Sequence, residues 1–308
     1  MPTFGSSLRL SARAFRREVW LAALGLLVTG ARRATGWPAI WTAAVLLWRA
    51  AQGEAAARPL VLAAPVEGAL AMLASGRFLG IVGGLWLAGA LVAGALRVAW
   101  VTGAVQTLCA SMAGAPRGAA GFAASVGEGF ARVLPAALLG FALELSGALF
   151  AGTMVLASVL LVAHPGEVAA LPAVALAAIT ALALVLAMIV PLGLSTAADA
   201  LMARAALVRE GPAAALAAVT RRFLARPGAF LLGALLFGLA GVVVQLSVQA
   251  LGTLATGFAA GAPAAALLGP RLMVGALAAL LAGALDLLWL GTLAVLTSGE
   301  ARRGGAEG

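Results

Sequence analysis

Val168-Ala-Ala-Leu-Pro-Ala-Val-Ala-Leu-Ala-Ala-Ile-Thr-Ala-Leu-Ala-Leu-Val-Leu-Ala-Met-Ile-Val-Pro-Leu-Gly-Leu-Ser-Thr-Ala-Ala198 runs for 31 residues without a charged side chain, and Asp199 closes it. A helix crosses the hydrocarbon core of a bilayer with about 20 apolar residues, so this stretch has length to spare. Similar runs lie on both sides of it. Residues 133–163 give 31 more, interrupted only by Glu144, and residues 78–96 give 19 between Arg77 and Arg97. Residues 227–270 are 44 without a charge and read as one span over 230–251, followed by a Gly/Ala/Pro-rich exit at 261–263. A last span lies within 272–299 and carries Asp286.

The composition agrees. The chain has 308 residues, of which 63% are hydrophobic and 10% charged, and its mean hydropathy is +1.09. A soluble domain carries about 25% charged residues, so the expected class is all-α and polytopic, with the whole chain (1–308) forming one integral membrane domain. The net charge is +9, and all 20 basic residues are arginine. With the heavy Ala and Gly usage, this bias suggests a GC-rich bacterial genome. A basic chain also suits nucleic acid, but here the arginines flank apolar runs, as the positive-inside rule requires, and nucleic acid is not expected as a partner. With one cysteine, Cys109, and one histidine, His164, there is almost no raw material for a zinc site or a Ser-His-Asp triad. No catalytic, metal-binding or cofactor-binding residue is expected, and no cofactor.

The N-terminal quarter is the hardest to place. Residues 19–31 are apolar but only 13 long, Arg32 and Arg33 follow, and residues 34–48 are apolar again. The preferred reading is a short first span over 19–33 whose two arginines reach the far interface. A cleaved leader ending near Thr29-Gly-Ala31 fits less well, because Arg32-Arg33 would directly follow the cut. Trp37, Trp41 and Trp48 fall within about 40° of one another on a helix, a stripe suited to the membrane boundary or to helix packing. The region 34–75, with Glu67 in an apolar stretch, stays open between interface helices, a re-entrant piece and an additional span. Six spans result, at 19–33, 78–99, 133–160, 172–197, 229–251 and 273–297. If both termini are cytoplasmic, fourteen arginines face the cytoplasm and six face outward (Arg32, Arg33, Arg49, Arg58, Arg77 and Arg271). That bias predicts N-in, C-in placement in a bacterial inner membrane.

Three segments share a phenylalanine, nearby arginines and a glycine ten residues on: Phe15 with Gly25, Phe130 with Gly140, and Phe223 with Gly233. Each lies in a short amphipathic stretch that leads into an apolar run. Phe4, Leu8 and Phe15 share a helical face opposite Arg9, Arg13 and Arg16. Phe122, Val126 and Phe130 lie opposite Ser125, Glu128 and Arg132. Leu216, Val219 and Phe223 repeat the pattern, with Arg222 and Arg226 nearer the apolar edge. Such helices lie in the interface, apolar side in acyl chains and arginines at phosphates. They are expected to act as elbows feeding spans one, three and five, in a three-fold hairpin repeat with units 4–113, 114–206 and 207–300. Arg13, Arg16, Arg17, Arg132, Arg221, Arg222 and Arg226 are the candidate headgroup-binding residues, which makes an anionic bilayer the expected partner, alongside a homo-oligomer or other membrane subunits.

Ionisable groups within the hydrocarbon are expensive and invite a functional reading. Glu144 and Asp286 are each a candidate proton or cation site; the preferred alternative is a carboxyl satisfied by a neighbouring helix. Gln245 and Gln249, one turn apart, read as interhelical hydrogen-bonding groups or, less favoured, substrate contacts. Arg97 and Asp199 read as solvated or headgroup-level residues at the ends of spans two and four. Gly80 and Gly84, and Gly275, Gly283 and Gly291, stand at close-packing intervals.

The stretch Ala206-Leu-Val-Arg-Glu-Gly211-Pro, continuing through Thr220-Arg-Arg-Phe223 to Phe230, resembles an element of bacterial six-span proteins of the glycerophosphoryl diester phosphodiesterase membrane-domain type. The resemblance implies a membrane domain without an established chemistry, and no catalytic residue carries over. Gly118-Ala-Ala-Gly-Phe-Ala-Ala-Ser-Val-Gly-Glu-Gly-Phe130-Ala-Arg-Val-Leu-Pro135 resembles the coupling loop of binding-protein-dependent ABC permeases, implying a docking site for a cytosolic ATPase at 117–135. It departs from that pattern at Arg117/Gly118, at Ala123 and in the spacing to Pro135. The reading adopted is a non-enzymatic integral membrane protein, a scaffold or a transport or lipid-handling component, with the permease subunit as the alternative.

Overall fold

Thr3 starts the first helix by a reciprocal cap. Its Oγ1 accepts from the Ser6 backbone N–H at 3.3 Å while the Ser6 Oγ accepts from the Thr3 N–H at 2.9 Å, satisfying two of the donors that a helix start leaves open. In a computed structural model, which describes residues 3–57, 64–163, 173–258 and 264–298, this helix is α1 (Phe4–Arg17). There follow α2 (Trp20–Ala34), α3 (Trp37–Ala57), α4 (Ala64–Ala74), α5 (Gly76–Met112), α6 (Gly118–Ala163), α7 (Ala173–Leu207), α8 (Pro212–Ala225), α9 (Pro227–Phe258) and α10 (Ala264–Ser298). Every regular element among the described residues is helical, and the fold is all-α and polytopic. The loop read at His164, the exit at 261–263 and the tail with Arg302 and Arg303 lie outside the described residues.

Among the described residues, five helices are long and apolar enough to cross a membrane: α5, α6, α7, α9 and α10. The most apolar windows of α5 and α7 have 0% of their residues buried inside the protein, so their Leu, Ile and Val side chains need a lipid solvent. The expected first span differs. It forms α2, of 15 residues, which at about 1.5 Å per residue reaches roughly 22 Å, short of a hydrocarbon core about 30 Å thick.

The chain divides into two compact units, residues 1–25 with 98–308 and residues 26–97. In the smaller unit, the region left open by the sequence forms α3 and α4. Trp37, Trp41 and Trp48 are all exposed along α3, and α4 has only 11 residues. Gly68 of α4 lies against α3; a Cβ there would stand 2.6 Å from the Ala50 carbonyl oxygen.

In the larger unit the three elbows depart from expectation in two ways. First, only α1 and α8 are separate helices. α1 is capped by Glu18, and α8 opens on Pro212, suited to a first helical position, and is capped by Arg226, before Pro227 opens α9. The middle elbow runs on into its span as the single 46-residue α6, with Pro135 inside it; a membrane helix tolerates proline where neighbours satisfy the freed carbonyl. Second, the elbows turn part of their inner face onto protein rather than acyl chains. Ser7, Ser11 and Ala14 of α1 are buried, and the Ser11 Oγ–H donates to the Leu288 carbonyl at 3.1 Å. The Phe4 ring lies over Gly233, and the Phe122 ring over Gly103. Ala215 and Val219 of α8 are fully buried, and Phe223 stacks on Phe230 at 5.5 Å. Helices in lipid gain nothing from hiding apolar surface, so small residues, ring contacts and hydrogen bonds decide which faces meet.

The glycine spacings divide likewise. Gly283 and Gly291 of α10 are packed, whereas Gly80, Gly84 and Gly275 have open space. Gly283 meets Gly25 backbone to backbone, and a Cβ on it would sit 3.0 Å from the Gly25 carbonyl carbon. Gly283→Val is expected to cost about 1–3 kcal/mol, read as a lower Tm of the detergent-solubilised protein. Gly252→Ala, where nothing lies within 4 Å, is expected to leave Tm unchanged or raise it.

Candidate functional site

A helix leaves its last carbonyls without intrahelical donors, and three arginines from the amphipathic segments take them. Arg17 Nη1 donates to the Ser111 carbonyl at 3.3 Å, near the end of α5. Arg132 donates from Nε to Ala205 O at 3.1 Å and from Nη2 to Ala206 O at 2.8 Å, near the end of α7. Arg222 Nη1 donates to the Leu296 carbonyl at 3.2 Å and also to that of Thr297, at the end of α10. Each cation also faces the negative end of a helix dipole. Arg204 adds a donor to Thr297 O at 2.8 Å and pairs with Glu210. Three of the seven arginines expected at headgroups are therefore bonded to protein carbonyls, while Arg13, Arg16, Arg221 and Arg226 are exposed.

Farther along, α7, α9 and α10 line an open cavity of about 290 Å³. Two carboxyl groups line it, Asp199 from α7 and Asp286 from α10, with Ser195, Thr196, Phe237 and Trp289. Each carboxyl is held by an indole. Trp289 Nε1–H donates to Asp199 Oδ2 at 3.0 Å, and Trp100 Nε1–H donates to Asp286 Oδ2 at 2.7 Å. Both indoles are nearly buried, Trp100 at 2% and Trp289 at 7% exposure. Phe237 packs on Trp289 at 5.4 Å, and Phe122 on Trp100 at 6.2 Å, fixing the donors' directions. Asp199 stands eight residues before the end of α7 and Asp286 twelve before the end of α10. At about 1.5 Å per residue that is roughly 12 and 18 Å inward from the arginine-capped ends.

The structure brings together one expected residue, Asp286, with one expected elsewhere. Asp199 was placed at a solvated or headgroup position; α7 instead continues to Leu207 and carries it into the cavity wall. Glu144 is exposed on α6 and does not line the cavity. Gln245 and Gln249 are exposed on α9, one and two turns beyond Gly241, the last α9 residue lining the cavity. Among the described residues no group of three or more His, Cys, Asp or Glu gathers, so two carboxyls are the acidic inventory of this site.

Sequence reasoning missed the indoles. The signal is present: Ala93-Gly-Ala-Leu96 is followed by Trp100, and Ala282-Gly-Ala-Leu285 by Trp289, with Arg97 and Asp286 in matching places. Comparing the second helix of each hairpin, rather than the elbows, finds it. Glu18 was missed too. It is 2% exposed, and its Oε2 accepts from Trp20 Nε1–H at 2.6 Å, a third indole–carboxyl pair, closed over two residues of sequence.

Trp289→Phe keeps a ring against Phe237 and removes the donor to Asp199. It is expected to lower stability by about 1–3 kcal/mol, seen as a reduced Tm in detergent, whereas Trp86→Phe, at a side chain 58% exposed, leaves Tm unchanged. No protein-family model matches the chain, nor does any curated protein or solved structure.

Proposed function

We propose that this chain is a non-enzymatic transport component of a bacterial inner membrane, built from three elbow-plus-hairpin repeats that frame a proton- or cation-binding cavity. The observation that carries the reading is the pair Asp199 and Asp286, 87 positions apart in sequence (286 − 199), lining one cavity in a bundle otherwise made of apolar helices. Carboxyls in such surroundings are expensive and mark ion or proton paths. The indole N–H groups hold one oxygen of each carboxyl and fix both groups in the cavity wall, where a proton or small cation would meet them. Neighbouring Ser195 and Thr196 supply hydroxyl oxygens.

The repeat has support in the arginine caps. Arg17 bonds Ser111, Arg132 bonds Ala205 and Ala206, and Arg222 bonds Leu296 and Thr297. Each bond closes within one of the segments 4–113, 114–206 and 207–300. The exposed Arg13, Arg16, Arg221 and Arg226 would lie against anionic headgroups, placing the capped ends at the cytoplasmic leaflet. In the permease reading, 117–135 turns outward to an ATPase; Phe122 instead packs inward against Trp20 and Trp100.

Two measurements test this reading. Purified protein in liposomes with an internal pH dye and an imposed potassium-diffusion potential is expected to admit protons or monovalent cations faster than empty liposomes. The Asp199→Asn/Asp286→Asn pair is expected to lose at least tenfold of that flux; flux absent from the wild type, or unchanged in the pair, refutes the role. On a Cys109→Ser background, single cysteines at Ser6 and at Gly308 are expected to react with an impermeant maleimide from the cytoplasmic side alone. Labelling of the two from opposite sides would show that α2 does not cross.

A further inference from the structure

A second cavity, of about 370 Å³, lies where the ends of α5 and α7 meet the start of α6, and its walls are polar. Three guanidinium groups converge on it: Arg117 from the turn before α6, Arg132 from α6 and Arg209 from the α7–α8 connection. Gln106 and Glu128 complete the polar wall. Among the described residues no ion pair joins any of the three arginines to a carboxylate, Glu128 included; the ion pair of this connection is Arg204 with Glu210. Three cations around one cavity with a single unpaired acid leave a net positive charge that attracts an anion.

Two of the three cations are already oriented. Arg132 is fixed by its bonds to Ala205 and Ala206, and Gln106 Nε2 shares the Ala206 carbonyl at 3.1 Å, which leaves the Arg132 Nη1 hydrogens unused. Arg117 Nη1 donates to the Ser125 hydroxyl at 3.1 Å, and Ser125 is 1% exposed. Arg209 is exposed and has no hydrogen-bond partner among the described residues. Planar guanidinium forks held in this way match the oxygens of a phosphate, which they bind in bidentate fashion, and the volume falls in the range of roughly 300–1,000 Å³ typical of small-ligand sites.

We propose that this cavity binds a phosphate-bearing anion through Arg117, Arg132 and Arg209. The chemistry is shared by an anionic lipid headgroup and by free phosphate, and the site is separate from the carboxyl cavity, so it stands whether or not that cavity conducts ions. The test uses the full chain. In detergent, millimolar inorganic phosphate is expected to raise Tm over chloride at equal ionic strength if the anion is soluble. In nanodiscs, phosphatidylglycerol is expected to raise Tm over pure phosphatidylcholine and to remain bound in native mass spectrometry if it is a headgroup. Arg117→Gln/Arg209→Gln is expected to weaken the response, measured against each variant's own anion-free Tm, at least tenfold in concentration while keeping the helical circular dichroism of the wild type. Should that pair misfold, Arg209→Gln alone decides, because it breaks no hydrogen bond or ion pair among the described residues. A response in one arm assigns the source. No response in either arm, or an undiminished response in the folded variant, overturns the proposal.

Discussion

The C-terminal carbonyls of α5, α7 and α10 are the constraint from which the architecture of the larger unit follows. A soluble protein leaves such groups to water. Here the donor is built into the chain, which spares each carbonyl the cost of going unsatisfied in apolar surroundings. The donor in each case is an arginine on an amphipathic segment: Arg17, Arg132 or Arg222. Each bond ties the C-terminal end of a long helix to an amphipathic segment earlier in the chain and turns that segment's inner face onto the bundle. It also explains why the arginine-rich segments are not simply surface decoration. Part of their charge is consumed by the protein's own backbone.

Once the ends are tied, contact in the interior is limited by how closely backbones approach. Gly25 against Gly283, Phe122 over Gly103 and Phe4 over Gly233 are among the points where the helices touch. At each, one partner has no side chain. The two deep carboxyls sit beside these contacts rather than apart from them: Trp100 bonds Asp286 and also lies against Gly25, while Trp289 bonds Asp199 and also lies against Gly233. The same indoles therefore serve packing and hold the polar groups. This coupling is why the aspartates can occupy the cavity wall with defined geometry in an otherwise apolar bundle.

Much of the fold is legible in the chain because lipid imposes a simple rule. Runs such as 168–198 and 133–163 have no other stable environment; residues 173–198 of the first make up most of α7, and the second makes up the later part of α6. Local chemistry also marks the elbow ends, with Pro212 and Pro227 bounding α8. The middle amphipathic segment continues through Pro135 into its long helix without a break, because a membrane helix tolerates proline where its neighbours satisfy the freed carbonyl. The site was half legible. Asp286 stands out as a charge in a span, but Asp199 looks like a boundary residue, since the apolar run stops there while the helix does not.

Sequence alone determined that this protein dissolves in a bilayer as long helices with basic amphipathic segments between them, because apolar run length and charge position are one-dimensional properties. Only the tertiary structure decided which polar groups meet. The pairing of Trp100 with Asp286, of Trp289 with Asp199, and of Arg117, Arg132 and Arg209 around one cavity depends on helix rotation and on glycine contacts between segments far apart in the chain. Neither quantity is written in any single stretch of it.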